Sequence, residues 1–250
     1  MPRFAANLSM MFNEVAFLDR FDAAAKAGFT AVEFLFPYDH PPERVGERLH
    51  RNGLTQALFN LPPGNWEAGE KGFAALPDRF ADLQQSLRTA LVHLMAGIAS
   101  RSDPKAVAAF RKSVAWTAEF FAPHGLDVAI EPINARNVPG YFLNDFTFAR
   151  DLIAELKIPN LKLQFDIYHC QIIHGDVTMR LREMMPIIGH IQIASIPSRN
   201  EPDGEELNYP FLFGELDRLG YGGFVGCEYN PRGNTVDGLG WFKRYAGAKP

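Results

Sequence analysis

LKLQFDIYH, residues 161–169, reads as a short apolar β run that stops on a carboxylate, Asp166, and carries His169 into the loop beyond it. Three other runs end in the same manner. Glu131 closes LDVAIEP (126–132), Gln192 lies in GHIQIA (189–194), and Glu228 closes GFVGCEY (223–229). Hard cations such as Mg²⁺ and Mn²⁺ take carboxylate and amide oxygens as ligands. Four such donors, one on each of four successive strands, converge only if the strands are parallel and the sheet curves. That pattern predicts a site at the C-terminal mouth of a barrel.

Working outward, strand-like and helix-like patterns alternate through the whole chain. The strand candidates are RFAANLS (3–9), AVEFLF (31–36), TQALFN (55–60) and ALVHLMA (90–96), followed by LDVAIEP, LKLQFDIY, HIQIAS and FVGCEY, eight in all. Helices are expected between them. One is capped by Asn13, with Phe17, Leu18, Phe21 and Ala25 on one face and Gly28 past its end. Another is opened by Pro41-Pro42 and stopped at Asn52-Gly53. A third starts at Asp103-Pro104, a fourth at Asn144 or Asp145, and a fifth runs from Tyr209 towards Gly220. Strict alternation predicts an α/β fold with a parallel sheet inside and helices outside. Eight units in 250 residues favour a single (β/α)₈ TIM barrel, one domain over residues 1–250. A doubly wound open sheet is disfavoured, because no G-x-G-x-x-G follows the first strand. The longest irregular stretch, residues 61–76, reads equally as a surface loop or as a lid bearing Trp66.

Composition narrows the function classes. The net charge is −4, from 25 basic and 29 acidic residues without a basic stripe, so no nucleic-acid footprint is visible. No signal-peptide pattern or membrane-length apolar run appears, which predicts a cytoplasmic protein with no membrane partner. The two cysteines, Cys170 and Cys227, read as reduced, partly buried thiols, although each neighbours a proposed site residue and is open to oxidation there. The 21 phenylalanines are expected in the strand–helix layer.

The chemistry follows from the donor set. Several carboxylates buried side by side are costly without a compensating cation. Two glutamates beside such a cation supply a Lewis acid together with paired proton-transfer groups. That predicts aldose–ketose isomerisation, or epimerisation at the acidified carbon. His169 is a candidate for a hydrogen bond to a substrate oxygen, and Arg199 for holding an oxyanion through its planar fork. His93 reads as a satisfied core histidine; His40, His50, His124, His174 and His190 show no ligand-like grouping. Asn7, Phe36, Asn60, Trp66 and His93 are candidates for setting pocket size.

The stretches GCEYNPRGNTVDGLGW, HIQIASIPSRNEPDGEELNYPFLF and QFDIYHCQI closely resemble the hydroxypyruvate isomerase family, which includes the 2-oxo-tetronate isomerases and belongs to the xylose-isomerase-like barrels. The run EPINARNVPGYFLN is similar to the second group. The resemblance implies catalytic roles for Glu131 and Glu228, metal ligation by Glu131, Asp166, Gln192 and Glu228, and substrate contacts from His169 and Arg199. It implies a divalent cation, with Mg²⁺ or Mn²⁺ favoured by the amide oxygen at Gln192, where related epimerases carry histidine. The expected ligand is a small 2-oxo acid or sugar acid, and assembly into a homo-oligomer is left open. A ketose 3-epimerase, a DNA-repair endonuclease and a non-catalytic ligand-binding barrel are the rival readings.

Overall fold

The computed structural model describes residues 1–80 and 93–245, which form two compact units. Among the described residues the first contains 1–59, 176–185 and 190–245; the second contains 60–80, 93–175 and 186–189. In both, the recorded strand pairs are parallel and helices follow strands, the α/β arrangement expected from the alternation. No helix among the described residues is long and apolar enough to cross a membrane.

In the first unit the strands β1 (Arg3–Asn7), β2 (Ala31–Phe34), β3 (Thr55–Phe59), β6 (Ile188–Ile193) and β7 (Phe224–Cys227) lie in the order β3-β2-β1-β7-β6. The register sets Asn7 opposite Glu33, and Gly226 opposite both Ala5 and Gln192. Aromatic rings pack around these strands. Phe4 on β1 meets Phe213 and Trp241 edge-on at 5.2 and 5.3 Å, and Phe29 stacks on Phe242 at 4.2 Å. Full burial of each such ring stabilises the fold by about 1.5–3 kcal/mol. Phe4 and Phe213 thus sit between strand and helix as expected, whereas Phe120 and Phe211 are exposed on helices.

In the second unit β4 (Val128–Ile130) pairs with β5 (Leu161–Asp166). The helix Pro104–Phe121 starts where Asp103 accepts from the Lys105 N–H, and the helix Phe146–Leu156 starts where Asp145 accepts from Thr147 and Phe148. These caps satisfy N–H groups that have no partner within the helix. The helix Phe17–Lys26 corrects one expectation. Its first turn follows Ala16, with no side-chain cap, and Asn13 instead donates to the Met10 carbonyl.

Seven strands occur among the described residues, where eight were expected. Of the expected strand 90–96, the part before His93 lies outside the described residues. His93 itself bridges in parallel to Asn60 on one side and Ala129 on the other, the place a fourth strand would take. The ladder stops there for a visible reason. Ala96 pairs antiparallel with Gly72 of the 61–76 loop, and Gly97 turns with φ +93°. Side chains at Gly72 or Gly97 would collide with the facing backbone, so the close approach needs glycine. The 61–76 loop is thus docked on residues 95–97. Trp66 stays partly exposed within it, with the Lys71 ammonium 3.3 Å from its ring centre.

Candidate active site

The second unit gathers three of the expected site residues. Glu131 directly follows β4, Asp166 ends β5, and His169 lies in the first turn of the helix Ile167–Ile173. All three are buried, and each offers a ligand atom within 4.8 Å of the others. His169 Nε2 stands 3.5 Å from Asp166 Oδ2 and 4.0 Å from Glu131 Oε1. Asp166 serves two purposes. Its Oδ1 accepts from the Tyr168 N–H at 2.8 Å and caps the helix, while Oδ2 faces the histidine.

The proton on His169 can be assigned from its neighbours. The Asn137 N–H binds Asn134 Oδ1 at 2.9 Å, which fixes the orientation of that amide. Asn134 then directs its side-chain nitrogen at His169 Nδ1 (2.6 Å), with its backbone N–H at 3.3 Å. An Nδ1 that accepts these bonds carries no proton, so in the neutral ring the proton is on Nε2. His169 therefore presents an N–H donor beside the two carboxylates. A neutral imidazole in this state has no Nε2 lone pair to offer a metal.

His93, expected as a core histidine, is buried but stands beside the cluster: Nδ1 is 3.1 Å from Asn60 Oδ1 and Nε2 is 3.6 Å from Glu131 Oε2. Tyr141 is close enough for the Glu131 charge to matter. Burial raises its phenol pKa, the hydrogen bond from Ala96 lowers it, Glu131 raises it further, and the net shift is upward.

The first unit holds the other three. Gln192 on β6 is fully buried, and its Nε2 donates to Glu33 Oε1 at 2.9 Å. Glu228 directly follows β7, and Arg199 donates from Nη2 to its Oε2. That Arg199 binds Glu228 was not foreseen from the sequence. The loop after β6 makes it possible. Ser195 and Arg199 close a turn at 2.9 Å, Ser198 is held by Glu205, and the Asn230 N–H beyond β7 donates to the Arg199 carbonyl at 2.8 Å. Arg199 itself has φ +58°, a left-handed conformation that costs a non-glycine residue on the order of 1–3 kcal/mol.

Two residues of this unit escaped the sequence reading. Glu33 is buried on β2, and His190, which showed no ligand-like grouping in sequence, binds it through Nε2 at 2.6 Å. The available signals were a carboxylate inside the apolar run AVEFLF and a glycine inside the strand FVGC.

Glu131 and Asp166 suit a divalent cation: they are hard oxygen donors buried side by side at the C-terminal ends of parallel strands, where their charge calls for compensation, whereas Glu228 in the first unit is already paired with Arg199. The fold is α/β, with these donors at strand ends. A family model for the xylose isomerase-like TIM barrel matches residues 21–245, and the chain belongs to that family. It is 53% identical to the 2-oxo-tetronate isomerase of Cupriavidus necator, covering 99% of this chain and all of that protein. It is 38% identical to the hydroxypyruvate isomerase of Escherichia coli, covering 98% of this chain and all of that one. A crystal structure described as an AP endonuclease, family 2, from Brucella melitensis is 48% identical with a TM-score of 0.94, covering 98% of this chain and 99% of that one.

Proposed function

We propose that the protein is a metal-dependent isomerase of short 2-oxo acids. It interconverts 2-oxo-tetronate and 3-oxo-tetronate, with hydroxypyruvate and tartronate semialdehyde as the three-carbon alternative pair. The observation that carries this reading is the buried cluster of Glu131, Asp166 and the N–H-bearing His169. The four-carbon pair is placed first because a relative named for it is 53% identical over the whole chain.

In this reading residues 1–250 are a single domain of the xylose isomerase-like TIM barrel family. Glu131, Asp166, Gln192 and Glu228 then hold one cation, Mg²⁺ or Mn²⁺. That cation, when bound, stabilises negative charge on neighbouring substrate oxygens. Glu131 and Glu228 lie on either side of the substrate. One takes the proton from the hydroxyl-bearing carbon, and an enediolate spans that carbon and the adjacent carbonyl carbon. The other carboxylate returns a proton to the former carbonyl carbon, and the hydroxyl proton passes from its oxygen to the former carbonyl oxygen. His169 donates its Nε2–H to an enediolate oxygen. Arg199 keeps hold of Glu228 with one N–H and turns the rest of its guanidinium to the substrate carboxylate. The enzyme acts in the cytoplasm on a dissolved small acid, with neither nucleic acid nor membrane as partner, and a homo-oligomer is compatible with it. The lack of a basic stripe in the sequence argues against a nucleic-acid backbone as the ligand.

Incubation with Mg²⁺ or Mn²⁺ and each 2-oxo acid in D₂O tests the reading by NMR. Deuterium should enter the carbon next to the carboxylate in the product. Turnover without exchange, or turnover of free ketohexoses and no 2-oxo acid, would contradict it.

A further inference from the structure

Glu33 is a buried carboxylate to which the reaction above assigns no task. Its Oε1 accepts from Asn7 Nδ2 and from Gln192 Nε2, both at 2.9 Å, and its Oε2 meets His190 Nε2 at 2.6 Å. It starts on β2 and reaches across β1, where Asn7 is its register partner, and over β7 to Gln192 on β6. The route is open only because β7 carries glycine at its crossing point. A Cβ built on Gly226 would collide with the Glu33 carboxylate. Next to that glycine, burial pushes the Cys227 thiol well up, and the charge on Glu33 adds to the effect.

An amide side chain has two different ends. With its nitrogen bound to Glu33, Gln192 must turn its oxygen away from Glu33. Rotated by half a turn, the amide would set its oxygen against a carboxylate and leave its N–H₂ towards any cation, which is repulsive at both ends. Groups that orient a metal ligand through such hydrogen bonds typically change metal affinity about 10- to 100-fold when removed.

We propose that Glu33 is a positioning residue: it fixes the amide of Gln192 so that the oxygen, and not the nitrogen, is offered to the cation. This rests on the reading that Gln192 is a metal ligand. Asn7 and His190 hold Glu33 in turn, and Gly226 gives it room.

A double-mutant cycle on Mn²⁺ affinity, read by EPR of free Mn²⁺ and by calorimetry on the full chain, tests it. Gln192→Ala should weaken Mn²⁺ binding. Glu33→Ala should weaken it about 10- to 100-fold in the wild-type background and hardly at all once Gln192 is alanine. Glu33→Asp keeps the charge but shortens the reach by one methylene, and should show the same background-dependent loss if the alanine variant does not fold. Equal losses from the Glu33 variants in both backgrounds, or no loss in either, would overturn the proposal and leave Glu33 a structural group. Unchanged affinity in Gln192→Ala alone would instead sink the reading of Gln192 as a ligand.

Discussion

Asp166 spends one oxygen on capping the helix Ile167–Ile173 and turns the other to His169. A capping carboxylate is the ordinary explanation for an acid at a strand end, and here it leaves one oxygen for the proposed metal site. The cap holds the side chain in one rotamer, and that is what keeps Oδ2 in place. Glu228 is oriented differently, by an arginine that is itself held in a left-handed turn. Glu228→Gln preserves an acceptor for Arg199 but removes the carboxylate's ability to carry a proton. Turnover of the preferred 2-oxo acid should fall about 10²- to 10⁴-fold, with the far-ultraviolet circular dichroism unchanged. Activity within a few-fold of wild type would remove Glu228 from the proton shuttle.

At the scale of elements, chain punctuation was the most legible feature. Pro42, Gly53 and Asp103 bound their helices as read, and of the two candidates Asn144 and Asp145 it is Asp145 that caps, because each acts through its own backbone or its nearest N–H groups. Asn13 was misread because its carboxamide had a competing local acceptor, the Met10 carbonyl. The strand ends bearing Glu131, Asp166 and Glu228 were legible for the same local reason. Glu33 was not, because its partners lie at positions 7, 190 and 192 and only the sheet order brings them together. The Arg199–Glu228 bond was hidden likewise, since it depends on how two loops are stitched. Asp145 supplies a test at this scale. Burial raises its pKa, but the Phe148 and Thr147 N–H groups and Arg101 lower it more, so it lies below the ordinary aspartate range. A depressed carboxylate contributes stability above its unfolded pKa of about 3.9, and that stability is lost as pH falls through the folded value. Asp145→Ala should therefore cost about 1 kcal/mol near pH 7, measured by urea unfolding. The difference from wild type should shrink once the pH drops below about 4. A difference that stays constant with pH would mean that the charge contributes nothing to the cap.

At the scale of the molecule, the chain belongs to a TIM barrel family, the fold class that the alternation of strand and helix predicts, and the proposed function draws residues from both units. The second unit carries Glu131 and Asp166; the first carries Gln192 and Glu228. The proposed function assigns all four to one ion, with water free to complete its coordination. The direct measurement is a crystal structure of the protein soaked with Mn²⁺, with the ion located by its anomalous scattering. The account predicts one strong peak bound by side-chain oxygens of all four residues, with His169 close by and uncoordinated. A peak held by His169 Nε2, or one from which Gln192 and Glu228 are absent, would contradict it.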